Sequence, residues 1–141
     1  MPTVVAACQA NYQAHIGDCS GFARAVAAAV GVPLAGLADQ IVDVLRAGAD
    51  GWTVVADGIA AATAATNGQL VIGGLKGSEQ AHPDPHGHVV VVVPGPLAHN
   101  AYPTAYWGSL GGNPGADKTI NWAWTAADRD NVSYAAHDVA G

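Results

Sequence analysis

The run of five valines from 89 to 93 constrains the fold more than any other part of the sequence. An unbroken apolar run of strand length, without alternation, is typical of a strand buried on both of its faces. The run therefore predicts a central strand in a sheet that is packed on both sides.

The first half of the chain has a different pattern, in which apolar residues recur at helical spacing. The predicted helices span residues 3 to about 13, 19 to 30, 37 to 47, and about 58 to 66 after a cap at Asp57. After the turn signal Asn67-Gly68, short β-branched or aromatic runs predict strands at 69–75, 88–93, 104–110 and 132–138, whereas 119–128 has no clear assignment. This order predicts one α+β domain over residues 1–141, with the N-terminal helices packed on a mostly antiparallel sheet.

The composition excludes several functions. Half of the 141 residues are hydrophobic, 11% are charged, and the net charge is −6. Because the five Lys and Arg residues are dispersed, the sequence has no basic patch for nucleic acid or for a membrane surface. No apolar run is long enough to span a membrane, and the N-terminus lacks the basic and apolar regions of a secretory signal.

Cys19 stands at the predicted start of the second helix, between Asp18 and a Ser-Gly pair. Unpaired N–H groups at a helix N-terminus favour a thiolate, Asp18 can cap the helix, and the Cys19 N–H is placed to help hold an oxyanion. This position predicts a nucleophile with a lowered pKa. Cys8 falls on an apolar helical face, which predicts a core residue.

His88 directly follows Gly87 and opens the valine strand. A helix-borne cysteine and a strand-borne histidine form a nucleophile and base arrangement. The same residue types also fit a small packed cysteine and a polar residue at a strand end, and spacing alone does not decide between the two interpretations.

Two motifs, DCSGFARAV and GHVVVVV, resemble those of the NlpC-type cell-wall cysteine peptidases, which have a minimal papain-like fold. The segments CSGFARAVAAAVGVPL, LVIGGLKG, GHVVVVVPGPL, GSLGG and DRDNVSY resemble, in order, the type VI secretion amidase effectors of family 1. This resemblance covers most of the chain.

The resemblance implies an antibacterial toxin that cleaves the amide between γ-D-glutamate and meso-diaminopimelate in peptidoglycan stem peptides. It implies Cys19 as nucleophile and His88 as general base, with no metal or organic cofactor. It also implies synthesis in the cytoplasm, delivery by the type VI secretion apparatus to the periplasm of a target cell, and a cognate immunity protein that blocks the active site.

A third catalytic group is not identified by the sequence. In NlpC-type relatives the group that orients the histidine lies on the next strand, and residues 104–110 contain no His, Asp or Asn. Tyr106, Ser109, a backbone carbonyl, His99 and Asn100 remain open as partners of the second ring nitrogen.

Residues 76–87 form a polar segment of 12 residues between two predicted strands, a length that is common in functional loops. We expect this loop to flank the substrate groove, with Gly87 in the groove and Lys76 facing a substrate carboxylate.

Other functions also fit parts of the pattern. His82, His86 and His88, with Asp84 between them, have residue types that bind Zn²⁺, although the loop imposes no regular ligand spacing. The four tryptophans fit either a core or a carbohydrate-binding face: Trp52, Trp107, Trp122 and Trp124. The alternative to an enzyme is therefore a non-catalytic peptidoglycan-binding module with the same fold.

Overall fold

A computed structural model describes residues 2–139; Met1, Ala140 and Gly141, the ends of the predicted domain, lie outside the described residues. The α-helices of this range are α1 (Val4–Asn11), α2 (Cys19–Ala29), α3 (Ala38–Ala47) and α4 (Gly58–Thr66). The strands are β1 (Thr53–Val55), β2 (Leu70–Leu75), β3 (His88–Val92), β4 (Thr104–Trp107), β5 (Gly115–Thr119) and β6 (Ser133–His137). Short 3₁₀ helices span Gln13–His15, Gly77–Glu79, Ile120–Trp122 and Arg129–Asn131.

The strands form one sheet in the order β1-β6-β2-β3-β4-β5, and every neighbouring pair is antiparallel. The predicted α+β architecture, with helices packed on an antiparallel sheet, is confirmed. Strand β3 lies inside the sheet between β2 and β4, so the valine run does form a central strand.

Both faces of β3 are covered. Val89, Val91 and Val93 pack in one apolar cluster with α1, α2 and α3. Val90 and Val92 pack on the opposite face with α4 and with aromatic residues from the second half of the chain. Because successive side chains of a strand point to opposite faces, burial of both faces requires the unbroken apolar run.

The start of each of three helices is fixed by a polar side chain that accepts a backbone N–H. Thr3 caps α1, Asp18 caps α2 and Asp57 caps α4. Gly48, at φ 61°, adopts the left-handed conformation that ends α3. The four helices predicted from the sequence are confirmed, although α1 is shorter than expected.

The sheet differs from the prediction at its edges. Strand β4 ends at Trp107 rather than at residue 110, because the next residues turn toward the start of α2, where the Ser109 N–H donates to the Ile16 carbonyl at 3.0 Å. Strands β1 and β5 were not predicted, since both are edge strands with mostly exposed side chains and no alternating apolar pattern. The unassigned residues 119–128 include the end of β5 and the 3₁₀ helix Ile120–Trp122.

No helix within residues 2–139 is both long enough and apolar enough to cross a bilayer.

Candidate active site

A cavity of about 880 Å³ opens where the N-terminal end of α2 meets the sheet. Its lining comes from distant parts of the chain: the starts of α2 and α3, the loop before β3, the β4–β5 connection, and residues 122–124. Cys19, His88 and Gly87 all line it. The fold thus brings the predicted nucleophile and the predicted base to one concave site of the size that takes small ligands.

Cys19 is the first residue of α2, and its sulfur lies against the backbone at the start of β3. The Sγ atom is 3.9 Å from the Gly87 carbonyl oxygen. The backbone N–H groups of Val89, Ser20 and Cys19 itself each lower the pKa of the thiol. Backbone groups of both α2 and β3 thus favour the thiolate form of Cys19.

Asp18 holds the first turn of α2 rather than the sulfur. Its Oδ1 accepts the Gly21 N–H at 3.0 Å and the Ser20 hydroxyl at 3.2 Å. Since this cap fixes the point at which the helix begins, it also fixes the direction in which the Cys19 side chain leaves the backbone.

The ionisation of the two site residues differs from the sequence-based expectation. Burial raises the pKa of Cys19 above its ordinary value; the N–H group of Val89 lowers this pKa and the Asp18 carboxylate raises it, but burial has the largest effect. Burial also lowers the pKa of His88 from 6.5 to about 4. The expectation of a lowered thiol pKa is therefore wrong: at neutral pH the pair is a thiol and a neutral imidazole, because loss of solvent disfavours both charged forms.

The His88 ring packs against the indole of Trp124. The two ring centroids are 5.1 Å apart and the rings are inclined by 68°, an edge-to-face arrangement. Trp124 is 5% exposed and belongs to the apolar cluster on that face of the sheet. A rigid aromatic wall thus limits rotation of the imidazole.

Between residues 2 and 139, burial alone accounts for the lowered pKa of His88, and no hydrogen bond of its ring to another residue is present. Two of the candidates for a third catalytic group have other contacts, since Tyr106 packs against Tyr12 in the core and His99 packs against Tyr102. Ser109 lines the cavity without a hydrogen bond to His88.

The loop at 76–87 forms one wall of the cavity, and two of its backbone N–H groups donate to carboxylates outside the loop. The Gly77 N–H donates to Asp39 Oδ1 on α3 at 3.0 Å, and the Ala81 N–H donates to the buried Asp128 at 2.8 Å. Buried carboxylates that accept backbone N–H groups hold a loop in one conformation. The wall is therefore set by contacts outside the loop itself.

Lys76 lies outside the cavity lining, contrary to its expected place in the groove. Its Nζ atom forms an ion pair with Oδ1 of Asp43 on α3, at a distance of 2.5 Å. Nearby, Arg46 makes a double hydrogen bond to Glu79 at 2.7 and 2.8 Å. As the chain leaves β2 it runs along α3, and these ion pairs direct the Lys76 ammonium away from the site.

The zinc alternative lacks a ligand group in the described part of the chain. No three His, Cys, Asp or Glu side chains within residues 2–139 are close enough together to hold a metal ion. Asp84, one of the four candidate ligands, instead accepts the His86 N–H at 2.8 Å and shapes the loop.

Three of the four tryptophans are core residues: Trp52, Trp107 and Trp124 are 3%, 1% and 5% exposed. Trp122 is different, since it is 69% exposed and lines the cavity. Cys8 is fully buried, as predicted, and burial raises its pKa to about 12.

No protein-family model matches the chain. The peptidoglycan amidase Tse1 of Pseudomonas aeruginosa is 40% identical to it over 127 residues, which cover 87% of this chain and 77% of that relative. The chain belongs to the Tse1 family of type VI secretion amidase effectors. The resemblance drawn from the sequence motifs is confirmed by this similarity.

Three residues of this Tse1-family chain contribute to the site without a sequence signal that identifies them. Trp124 contacts His88, while Asp39 and Asp128 fix the loop beside the cavity. Asp39 lies in the first turn of α3, where an acidic residue is common in any helix. Trp124 lies in the segment 119–128, for which the sequence predicted no secondary structure. Only the tertiary contacts distinguish them.

Proposed function

We propose that this chain is an antibacterial cysteine amidase that hydrolyses the γ-D-glutamyl–meso-diaminopimelate bond of peptidoglycan stem peptides. One observation carries the proposal: Cys19 and His88, far apart in sequence, line the same cavity in a chain that is 40% identical to a peptidoglycan amidase. We place the catalytic machinery in a single domain spanning residues 1–141.

The first step is acylation of Cys19. Because burial keeps the imidazole of His88 neutral and the thiol protonated, His88 accepts the thiol proton as Sγ attacks the amide carbonyl. The backbone N–H of Cys19, the first residue of α2, helps to hold the negative oxygen of the tetrahedral intermediate. His88 then donates its proton to the leaving amine of diaminopimelate.

The second step is hydrolysis of the thioester. A water molecule enters where the amine has left, His88 removes its proton, and the resulting hydroxide attacks the thioester carbonyl. The carboxylate of γ-D-glutamate is released, and the proton returns from His88 to the sulfur. Throughout the cycle Trp124 keeps the ring in place by packing.

The family assignment supports the biological setting of the proposal. We infer synthesis in the producing cell, transfer by the type VI secretion apparatus into the periplasm of a rival cell, and neutralisation by an immunity protein that covers the cavity. The substrate of the reaction is the peptide part of peptidoglycan.

Digestion of purified sacculi, followed by mass spectrometry of the released fragments, tests the reaction. We expect fragments that end in γ-D-glutamate and fragments with a new diaminopimelate amine, and we expect none with Cys19→Ala. Cys8→Ala is the matched control, since Cys8 is a buried core thiol outside the cavity. Release of sugar fragments that still carry intact stem peptides would contradict the proposal. Undiminished release of peptide fragments by Cys19→Ala would also contradict it.

A further inference from the structure

The mouth of the cavity carries an unusual concentration of exposed apolar side chains. Of the large hydrophobic residues in the described chain, the three most exposed are Leu110 at 72%, Trp122 at 69% and Leu37 at 60%. All three line this cavity. Exposed apolar groups that gather at one site mark a binding surface, whereas scattered ones need no explanation.

The three residues come from separate parts of the chain, so the tertiary fold brings them together in this patch. Leu37 precedes α3, Leu110 lies in the β4–β5 connection, and Trp122 ends the 3₁₀ helix that follows β5. They are uncharged, whereas the protein has a net charge of −6. A neutral ligand with apolar faces suits such a rim better than an anionic one.

The proposed substrate has a neutral part of this kind close to the scissile bond. Stem peptides are joined to the lactyl group of a sugar, and only one alanine and the γ-linked glutamate separate that group from the carbonyl to be attacked. Fully extended, these two residues span roughly 10 Å. Cys19 and the three exposed apolar residues line the same cavity of about 880 Å³. When the carbonyl is at Cys19, a sugar at this distance along the stem can reach those side chains.

We propose that Trp122 forms a glycan subsite, stacking its exposed indole on the sugar that bears the stem peptide. The flat ring presents a large apolar face, and its N–H donates to a sugar hydroxyl or acetamido oxygen. This inference rests on the proposed amidase function and adds that the enzyme recognises glycan-linked stems in preference to free peptides.

The contrast with Trp124 supports this role. The two indoles are two positions apart, but Trp124 is buried against His88 while Trp122 is exposed at the rim. Burying an exposed tryptophan on a ligand removes a large apolar area from water, so one such contact contributes measurably to binding.

The test compares two substrates with the same tetrapeptide stem. One carries the N-acetylglucosaminyl–N-acetylmuramyl disaccharide, and the other carries an N-acetyl group in place of the sugar. We expect the wild-type chain to have a kcat/KM about tenfold higher on the disaccharide substrate, the size of one aromatic stacking contact. Trp122→Ala is expected to remove this preference by lowering kcat/KM about tenfold more on the disaccharide substrate than on the free peptide, and Trp122→Phe is expected to keep most of it.

Ile59→Ala is the matched control, because Ile59 is 50% exposed but does not line the cavity. An equal loss on both substrates in Trp122→Ala would overturn the proposal, since Trp122 would then act on the peptide. An unchanged ratio would also overturn it, as expected if Trp122 contacts only a protein partner.

Binding to the Cys19→Ala variant separates this inference from the amidase proposal. If the wild-type chain cleaved neither substrate, the amidase proposal would fail, and calorimetric titration would still decide the subsite. Tighter binding of the disaccharide substrate that is lost on adding Trp122→Ala supports the glycan subsite. Equal affinity for both substrates refutes it.

Discussion

Acidification is expected to destabilise the folded chain through His88, and the size of the effect follows from its burial. Burial lowers the pKa of His88 from 6.5 to about 4. Between these two values the unfolded chain binds a proton that the folded chain does not, so stability falls as pH decreases from about 6.5 toward 4. Above this window both states are neutral at this residue, and below it both are protonated.

The interval from 6.5 to about 4 corresponds to about 3 kcal/mol in the free energy of unfolding, at about 1.36 kcal/mol per pH unit. This is a substantial part of the roughly 5–15 kcal/mol that stabilises an ordinary domain.

The assay is urea unfolding followed by far-UV circular dichroism at pH 7, 6, 5 and 4, for the wild-type chain and for His88→Gln. Glutamine does not titrate, and both chains share all the other titratable groups. The contributions of those groups therefore cancel in the difference between the two free energies of unfolding. We expect that difference to change by about 3 kcal/mol across the series, with the wild-type chain losing more stability in acid. A difference that stays constant with pH would refute the argument that the half-buried imidazole of His88 is neutral in the folded chain.

Three further outcomes follow from the site. Trp124→Leu is expected to admit water to His88 and so to shift the acidic side of the pH profile of kcat/KM upward from about pH 4. Trp124→Phe is expected to keep the profile near that of the wild-type chain. An unshifted profile in Trp124→Leu would argue against a positioning role for Trp124. Iodoacetamide is expected to label Cys19 with a pH midpoint above that of an unperturbed thiol, and to leave Cys8 unlabelled in the folded chain. A Cys19 midpoint below that of an unperturbed thiol would show that burial does not dominate its pKa. EDTA is expected to leave peptidoglycan cleavage unchanged, because cysteine acyl chemistry needs no Lewis acid; loss of activity that Zn²⁺ restores would assign the reaction to the histidine loop.

Much of the fold was predictable because its signals are local. Asp18, which caps α2, and the Ser-Gly pair that follows Cys19 all lie within one helical turn of Cys19. Adjacent residues therefore define the start of α2. The valine run likewise indicates burial on both faces of β3, because it is apolar without alternation. By contrast, β5 is an edge strand with exposed polar side chains, and no periodicity marks it.

The sequence alone predicted Cys19 and His88 as a nucleophile and base, and it identified the family. Within residues 2–139 it also predicted the four α-helices and the strands β2, β3, β4 and β6, since motif and periodicity are properties of neighbouring residues. The tertiary structure decided the ionisation of that pair, the packing of Trp124 on His88, the departure of Lys76 from the cavity and the gathering of Leu37, Leu110 and Trp122 at its mouth. These properties depend on solvent exclusion and on contacts between segments distant along the chain. At Cys19 burial has a larger effect on the thiol pKa than the backbone N–H groups at the start of α2, and this burial exists only in the folded chain.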